Sequence, residues 1–305
     1  MLTTSRFPDA LDTRIMGVFD KDLDDLSTLD KPLETLFEQK ESNKAYEIMS
    51  TIGALPDISQ FTGIRRYGDV TQGYDTQLNQ VQFAGGMMFE RLLKDTMQYG
   101  TIDDLAQALS EATWRTIAKD AISIFTDAFT VAGPNITGTG GNFDALSLCN
   151  SAHTTNVPGG TTFSNTGTTA ISATQIETER QNGMLTRNDI NEISPILFDL
   201  IIGGPGIEET AYEVINSMGK VQTANNNRNF HYGKYNLYIS PFFGTSTDWF
   251  FVSTRHMRKW LKWFWLTRPE FKRDSEFDSL VFKYGVYWAR SKGWTEWRWL
   301  RGNNL

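Results

Sequence analysis

Cysteine is almost missing. Cys149 stands alone in 305 residues, so no intrachain disulfide can form and the fold does not rely on an oxidising compartment. Histidine is scarce too: His153, His231 and His256 are scattered, with no spacing that suits a zinc site. Positive charge is in deficit. A net charge of −7 argues against a chain that condenses nucleic acid on a basic surface of its own. The longest aromatic stretch, WLKWFWL at 260–266, is too short to cross a bilayer and is interrupted by Lys262. The opening stretch MLTTSRFPDALDTRIMGVFDKDLDDL holds no apolar segment of signal-peptide length. No repeat of solenoid period is present. These absences lead to the expectation of a soluble chain with no membrane contact, no metal and no cofactor.

What is present is length and aromatic side chains. A compact monomer of 34.6 kDa would expose roughly 13,000 Å² and can bury a proper core without disulfides. Residues 1–43 are acidic and weakly periodic; DLDDLSTL and PLETLF suggest one helical turn each, with Leu23, Leu26, Leu29, Leu33 and Leu36 as scattered apolar points. Such a segment needs something else to lie on. KAYEIMSTIG (44–53) reads as a strand with Tyr46, Ile48 and Ile52 on one face, and GYDTQLNQVQFA (73–84) as its return, with PDISQFTGIRRYGDV between them. That is a long hairpin with a polar tip, and an isolated hairpin is barely stable in water.

The strongest helix is predicted over 101–129, capped by Thr101, with Ile102, Leu105, Leu109, Ala112, Ile117, Ala121, Ile124 and Ala128 in one stripe. Trp114 and Ile122 fall outside the stripe, so a second face is expected to be covered. A Gly/Thr/Asn-rich loop follows at 132–170. Then come a helix from Ser172 to about Asn188, an apolar strand at 195–204, and a helix from Pro205 with Ile207, Ala211, Val214, Ile215 and Met218 inward. Strands YNLYISPFF, DWFFVST, KWLKWFWLTRPEF, DSLVFKYGVYWAR and WTEWRWLRG complete the chain. The class is α+β.

Sites of chemistry are weak. GGPGIEET sits where a phosphate loop would, yet lacks G-x-G-x-x-G and the Lys-Ser/Thr ending; it reads as a turn into a helix. Cys149 and His153 are four apart but lie in the Gly/Thr-rich loop with no orienting acid, so replacing either should be silent. Asp24–Asp25 and Asp103–Asp104 read as solvated or helix-start charges. Trp294, Trp297 and Trp299 could stack on sugars, which leaves a glycan-binding or hydrolytic protein as the alternative. Val281, Phe282, Tyr284, Val286, Tyr287 and Trp288 fill both faces of one strand, which favours core or subunit contact.

FDKDLDDL, KAYE, LCNSAH, KVQTANNN, DWFFVST and the ending YGVYWARSKGWTEWRW, taken in order, resemble the major capsid proteins of tailed bacteriophages, of the Mu-like type. The resemblance covers nearly the whole chain. It implies a Hong Kong 97-type fold with an N-terminal arm (1–43), an extended hairpin loop (44–86), a peripheral domain (87–174 and 258–305) with its spine helix at 101–129, and an axial domain (175–257). It also implies an icosahedral head shell around double-stranded DNA, with no catalysis. The partners would be other copies in hexamers and pentamers, a portal, and separate scaffold or decoration proteins, with weak non-specific contact to DNA. The implied location is the virion, after assembly in the host cytoplasm. Arg65, Arg66 and Tyr67 at the hairpin tip and Asn225, Asn226 and Asn227 in the axial loop are the expected subunit contacts. The tip has no lysine for covalent crosslinking, and the long loop at 132–170 would be a contact or strap between copies. A scaffold would be a separate protein, since the chain begins almost at the arm. The tryptophans would close the peripheral sheet around the spine helix.

Overall fold

The computed structural model describes residues 8–61, 63, 65, 67–68, 72–96, 99–130, 136–138, 146–154, 162–219, 228–276 and 281–305. Helices α1 (Pro8–Leu29) and α2 (Pro32–Leu36) precede a short strand β1 (Glu38–Glu41). Strands β2 (Tyr46–Ile52) and β3 (Gln72–Asn79) make the hairpin, and β4 (Val81–Glu90) leads through α3 (Arg91–Asp95) into the long helix α4 (Tyr99–Thr126). Four short strands follow: β5 (Ile136–Gly138), β6 (His153–Thr154), β7 (Thr162–Phe163) and β8 (Thr166–Gly167). Next come α5 (Ala173–Met184), β9 (Leu200–Gly203), α6 (Pro205–Asn216), β10 (Asn236–Ile239), β11 (Trp249–Val252) and α7 (Thr254–Trp260). The chain closes with β12 (Leu261–Glu276), β13 (Val281–Trp294) and β14 (Leu300–Asn303).

Two sheets meet on α4. The first runs β1-β12-β13-β4, with a long antiparallel β12/β13 pair at its centre and β1 parallel to β12. The second is mixed, in the order β10-β9-β11-β14-β8. Alternation along its central strands splits the apolar residues between two layers. Leu200, Ile202, Phe250 and Val252 enter the main core with Phe125 of α4, while Ile201, Trp249 and Phe251 pack under α6 through Ile207, Ala211, Val214 and Ile215. Phe125 lies edge-on to Phe250 at 5.4 Å and to Trp299 at 6.2 Å. The second covered face of α4, signalled by Ile122, is real: Ile122 is fully buried.

Several expectations change. The arm is a regular 22-residue helix rather than isolated turns. Its stripe is Ile15, Phe19 and Leu23, at helical spacing, and the leucine pattern alone concealed it. Phe19 stacks on Phe271 at 4.8 Å, and Ile15 joins Ile102, Phe89 and Tyr284. Arg14 pairs with Asp103 at 2.5 Å, so Asp103 is a clamp rather than a solvated charge. This part of the chain packs on its own α4. Helix α4 begins at Tyr99, which places Thr101 inside the first turn instead of at the cap. The return strand breaks at Gln80, and β4 joins the β13 sheet. β14 pairs with β11 in the second sheet, so Trp299 closes that sheet rather than the first. Met218 is 71% exposed because α6 ends at Asn216.

Described parts of the loop at 132–170 are held within the chain. Asn165 donates to Leu148 O (2.8 Å) and accepts from Asn150 N (2.8 Å), while its carbonyl accepts from Gly302 N (2.9 Å).

Truncating Phe19 to alanine should cost roughly 3–5 kcal/mol in urea unfolding of the isolated subunit, because it opens a cavity under α1. Arg14→Ala, whose side chain is half exposed, should cost under about 1 kcal/mol.

Candidate subunit interface

The hairpin is amphipathic, with Tyr46, Ile48 and Ile52 on one face as the alternation predicts. Along β2, Met49 packs against the main core and Thr51 is buried, whereas Tyr46, Ile48 and Ile52 face outward with 47%, 52% and 78% exposure. Leu78 of β3, fully buried, and the half-buried Phe83 of β4 decide this, because they anchor the inner face to the body. Beyond β2 the apolar exposure continues through Leu55, Ile58, Phe61 and Tyr67. Gly63 sits at φ +101°, a conformation that favours glycine and turns the tip. Asp57 N donates to Glu192 Oε1 at 3.1 Å, tying the outgoing segment to a turn after α5. The hairpin therefore carries a row of large apolar side chains that its own chain leaves uncovered. The whole chain exposes 17301 Å², well above the roughly 13,000 Å² of a compact globule of this mass.

Of the residues singled out in the sequence, Arg65 and Tyr67 lie together on this tip, both exposed. Arg66, Asn225, Asn226 and Asn227 lie outside the described residues. The residues that flank 220–227 are described, and they are held by hydrogen bonds. Gly219 bridges Arg228, and Asn229 donates to Val214 O (2.6 Å) and Ser217 O (3.0 Å), capping the end of α6. Its side-chain oxygen accepts from His231 N at 2.9 Å. His231 is buried beside Tyr235, and that burial holds its pKa below the usual imidazole value. Asn229 escaped sequence reading; the signal was its position, the last residue of a polar run, from which it could reach back to a helix end.

Chemistry is absent where it was considered. Cys149 is buried and its thiol is pushed well up by desolvation, the reverse of an activated nucleophile. His153 stacks face to face on Trp297 at 4.2 Å. His153 is thus a packing group, and its loss is not expected to be silent. Trp294, Trp297 and Trp299 are at most 5% exposed, so they offer no platform for a sugar. Among the described residues no His/Cys/Asp/Glu group could hold a metal, and no helix is long and apolar enough to cross a membrane.

One buried charged group was missed. Arg290 and Lys292 point from β13 onto α4, where Arg290 grips Asp120 at 2.5 Å and Lys292 reaches the same carboxylate at 2.9 Å. The Arg290 guanidinium lies between the rings of Phe83 and Trp263, 5.1 and 5.3 Å from their centroids. Two cations share one carboxylate in an apolar layer. Desolvation lowers the Lys292 pKa to about 8, against the pull of Asp120. The signal was there: on the alternating face Tyr284-Val286-Trp288-Arg290-Lys292-Trp294, two cations interrupt an apolar row. The sign follows from proton counts. The unfolded chain holds the Lys292 proton up to about 10.5 and the folded chain only to about 8, so stability rises with pH across that window. Lys292→Met should flatten this rise and be neutral or stabilising at pH 7. Asp120→Ala should cost roughly 3–5 kcal/mol, by leaving buried cations unpaired. Denaturant titrations at several pH values measure both.

Comparison with known proteins adds the following. The sequence pattern described as Phage capsid protein matches residues 73–301. No curated protein matches the chain. Among solved structures, a chain from the procapsid of bacteriophage JBD30 is similar with a TM-score of 0.52 and 14% identity, over 97% of this chain and 75% of that one. A chain from Microbacterium phage Oxtober96 is similar with a TM-score of 0.56 and 10% identity, over 90% of each. A chain from the capsid of Cyanophage P-SCSP1u gives 0.53 and 10%, over 89% of this chain and 86% of that one. At these identities the likeness speaks for the fold.

Proposed function

Starting from a chain that belongs to the phage capsid protein family, matched over three-quarters of its length, we infer that its work is to build the head shell of a tailed bacteriophage. It is a structural subunit without turnover, and it acts by assembling with copies of itself into capsomers. The fold is the Hong Kong 97-type capsid fold, with α4 as the spine helix, and the neighbours with which it shares that architecture include procapsid and capsid chains. The observation that carries the reading is the hairpin: a projecting element, rooted in the subunit by Met49 and Leu78, whose Ile48, Ile52, Ile58, Phe61 and Tyr67 are each more than half exposed. Apolar exposure of that extent marks an interaction surface. The glycan-binding alternative loses its support once the tryptophans are buried.

Finer assignments belong to the same proposal. Residues 44–86 act as the extended loop that overlaps a neighbouring subunit, with Arg65, Arg66 and Tyr67 in contact there. Residues 87–174 and 258–305 form the peripheral domain and 175–257 the axial domain, with β14 as the strand that joins the two by pairing with β11. Asn225, Asn226 and Asn227 are assigned to contacts about the capsomer axis, next to the turn that Asn229 locks. Hexamers and pentamers close around double-stranded DNA, which the net charge of −7 keeps from being gripped. A portal, and separate scaffold or decoration proteins, complete the particle, which is assembled in the host cytoplasm.

Electron microscopy and sedimentation of the purified protein test this directly: capsomers or shells support it, and a well-behaved 34.6-kDa monomer under all conditions contradicts it. Deleting the hairpin between Ile52 and Gly73 should leave a folded subunit with the unfolding transition of the parent, yet no closed particles. Normal particles from that deletion would refute the role given to the hairpin.

A further inference from the structure

Helix α7 is short, and three of its seven residues are cations on one face. At 3.6 residues per turn, Arg255, Arg258 and Lys259 share the side opposite Met257, which is fully buried in the main core. All three cations are exposed. The acids around them are engaged elsewhere. Asp199 accepts from Thr254 N at the start of the helix, Glu38 pairs with Lys262 and Lys40, and Glu34 pairs with Lys31. Among the described residues no carboxylate pairs with Arg255, Arg258 or Lys259. Arg255 and Lys259 are like charges at i,i+4, a spacing that destabilises a helix. His256 registers that field: its pKa lies below the ordinary imidazole value, first through burial and then through Arg255 and Lys259. The Lys259 ammonium lies over the Trp260 ring at 4.3 Å, which holds it in place.

The opposite charge stands on the other side of the mixed sheet. Met257 sets α7 on the α4 side of that sheet, whereas Ile207 and Ala211 set α6 on the far side. The outer face of α6 exposes Glu208, Glu209 and Glu213. Glu208 sits in the first turn, where the helix dipole favours an anion. Glu209 and Glu213 form a second like-charge pair at i,i+4, and no cation pairs with them among the described residues. Arg228 and Lys234 lie past the C-terminal end of α6, Arg228 bridging Gly219 and Lys234 over the Phe230 ring. At 1.5 Å per residue the three acids span about 7.5 Å of helix and the three cations about 6 Å.

We propose that the cationic face of α7 docks on the acidic face of α6 in a second copy of this chain, so that each subunit offers α7 to one neighbour and α6 to another. The proposal deepens the shell reading above and rests on it for the second copy. Two unlike surfaces on opposite sides of one sheet make a head-to-tail contact, and such contacts repeat around a ring instead of closing in pairs. The like-charge repulsion on each helix is relieved when the two meet. Tyr212, 61% exposed on the same face of α6, offers an arginine a ring to stack on. Two rival surfaces fit less well. Asp24 and Asp25 of α1 already interact within the chain, and Arg115 of α4 has Glu111 four residues before it, at ion-pair spacing.

The test is a charge-reversal cycle, read as shell yield in sedimentation of the purified protein without DNA. One variant carries Arg255→Glu and Arg258→Glu, a second carries Glu209→Lys and Glu213→Lys, and a third carries all four. Each of the first two should lower the yield by at least about tenfold, because like charges then face each other across the contact, and the third should return to within about twofold of the parent. The urea midpoints of the dilute subunits are expected to match the parent, since all four side chains are exposed. If a reversal unfolds its helix, glutamines at the same four positions replace the reversals. Each neutral pair should lower the yield about threefold, and the two pairs together no further. Parental yield from either reversal, or no recovery in the third variant, would overturn the docking while leaving the shell role intact. A loss from the α7 reversal that appears only with DNA present would assign α7 to the polyanion and overturn the docking as well. Failure of the parent protein to assemble would remove the shell role itself.

Discussion

Everything in the subunit is arranged around one shared element. Helix α4, at 28 residues, is the longest helix among the described residues, and both large sheets use it as their inner wall. The β12/β13 sheet grips it through Arg290, Lys292 and Asp120, and the mixed sheet packs Phe250 and Trp299 against Phe125. α1 then lies along the free side of the same rod. The crowded indoles at the C-terminus are a consequence of this geometry. Trp294 ends β13, and Trp297 and Trp299 fill the corner where the chain leaves the first sheet to enter the second. Large rigid rings close that corner with few side chains. His153 and Asn165 then tie the loop between α4 and α5 to it.

The ionic part of the joint has a physical logic of its own. Burying two cations on one carboxylate is not a strong source of stability, because desolvation offsets most of the attraction. What it supplies is direction. A purely apolar contact between β13 and α4 could slide by a turn of the helix or by one strand pair, whereas Arg290 and Lys292 converge on Asp120, with Ser123 Oγ one turn on as a further acceptor for Lys292. Cation–π contacts with Phe83 and Trp263 fix the guanidinium plane as well. The register of the rod on the sheet is thereby set, and with it the place where β4 ends and the hairpin departs.

Much of the fold was legible because its signals are local. Helix α4, α6 with Pro205 at its start, the Ser172 cap of α5, the doubly buried β9 and the second half of β13 follow from periodicity and capping, whereas the first half of β13 is buried on one face only. What was not legible depends on what lies opposite. β2 alternates in either case, and only the anchoring of Leu78 and Met49 decides that Tyr46, Ile48 and Ile52 face outward. The arm looked too polar to pack, because its stripe needs just Ile15, Phe19 and Leu23 when α4 and Phe271 offer a ready surface. β14 carries no mark in its sequence of which sheet it joins. The contact role given to Arg65 and Tyr67 came with the resemblance; composition by itself showed a polar, glycine-punctuated tip.

On the reading proposed above, the subunit divides into a self-sufficient body, arm included, and a hairpin tip completed by another copy. Hydrogen exchange compared between dilute subunits and assembled shells measures that division most directly. The account predicts that α1, α4 and the strands of both large sheets are equally protected in the two states, and that residues 58–61 gain protection only in the shell. Free exchange of α1 in the dilute subunit, or a tip already protected there, would contradict it.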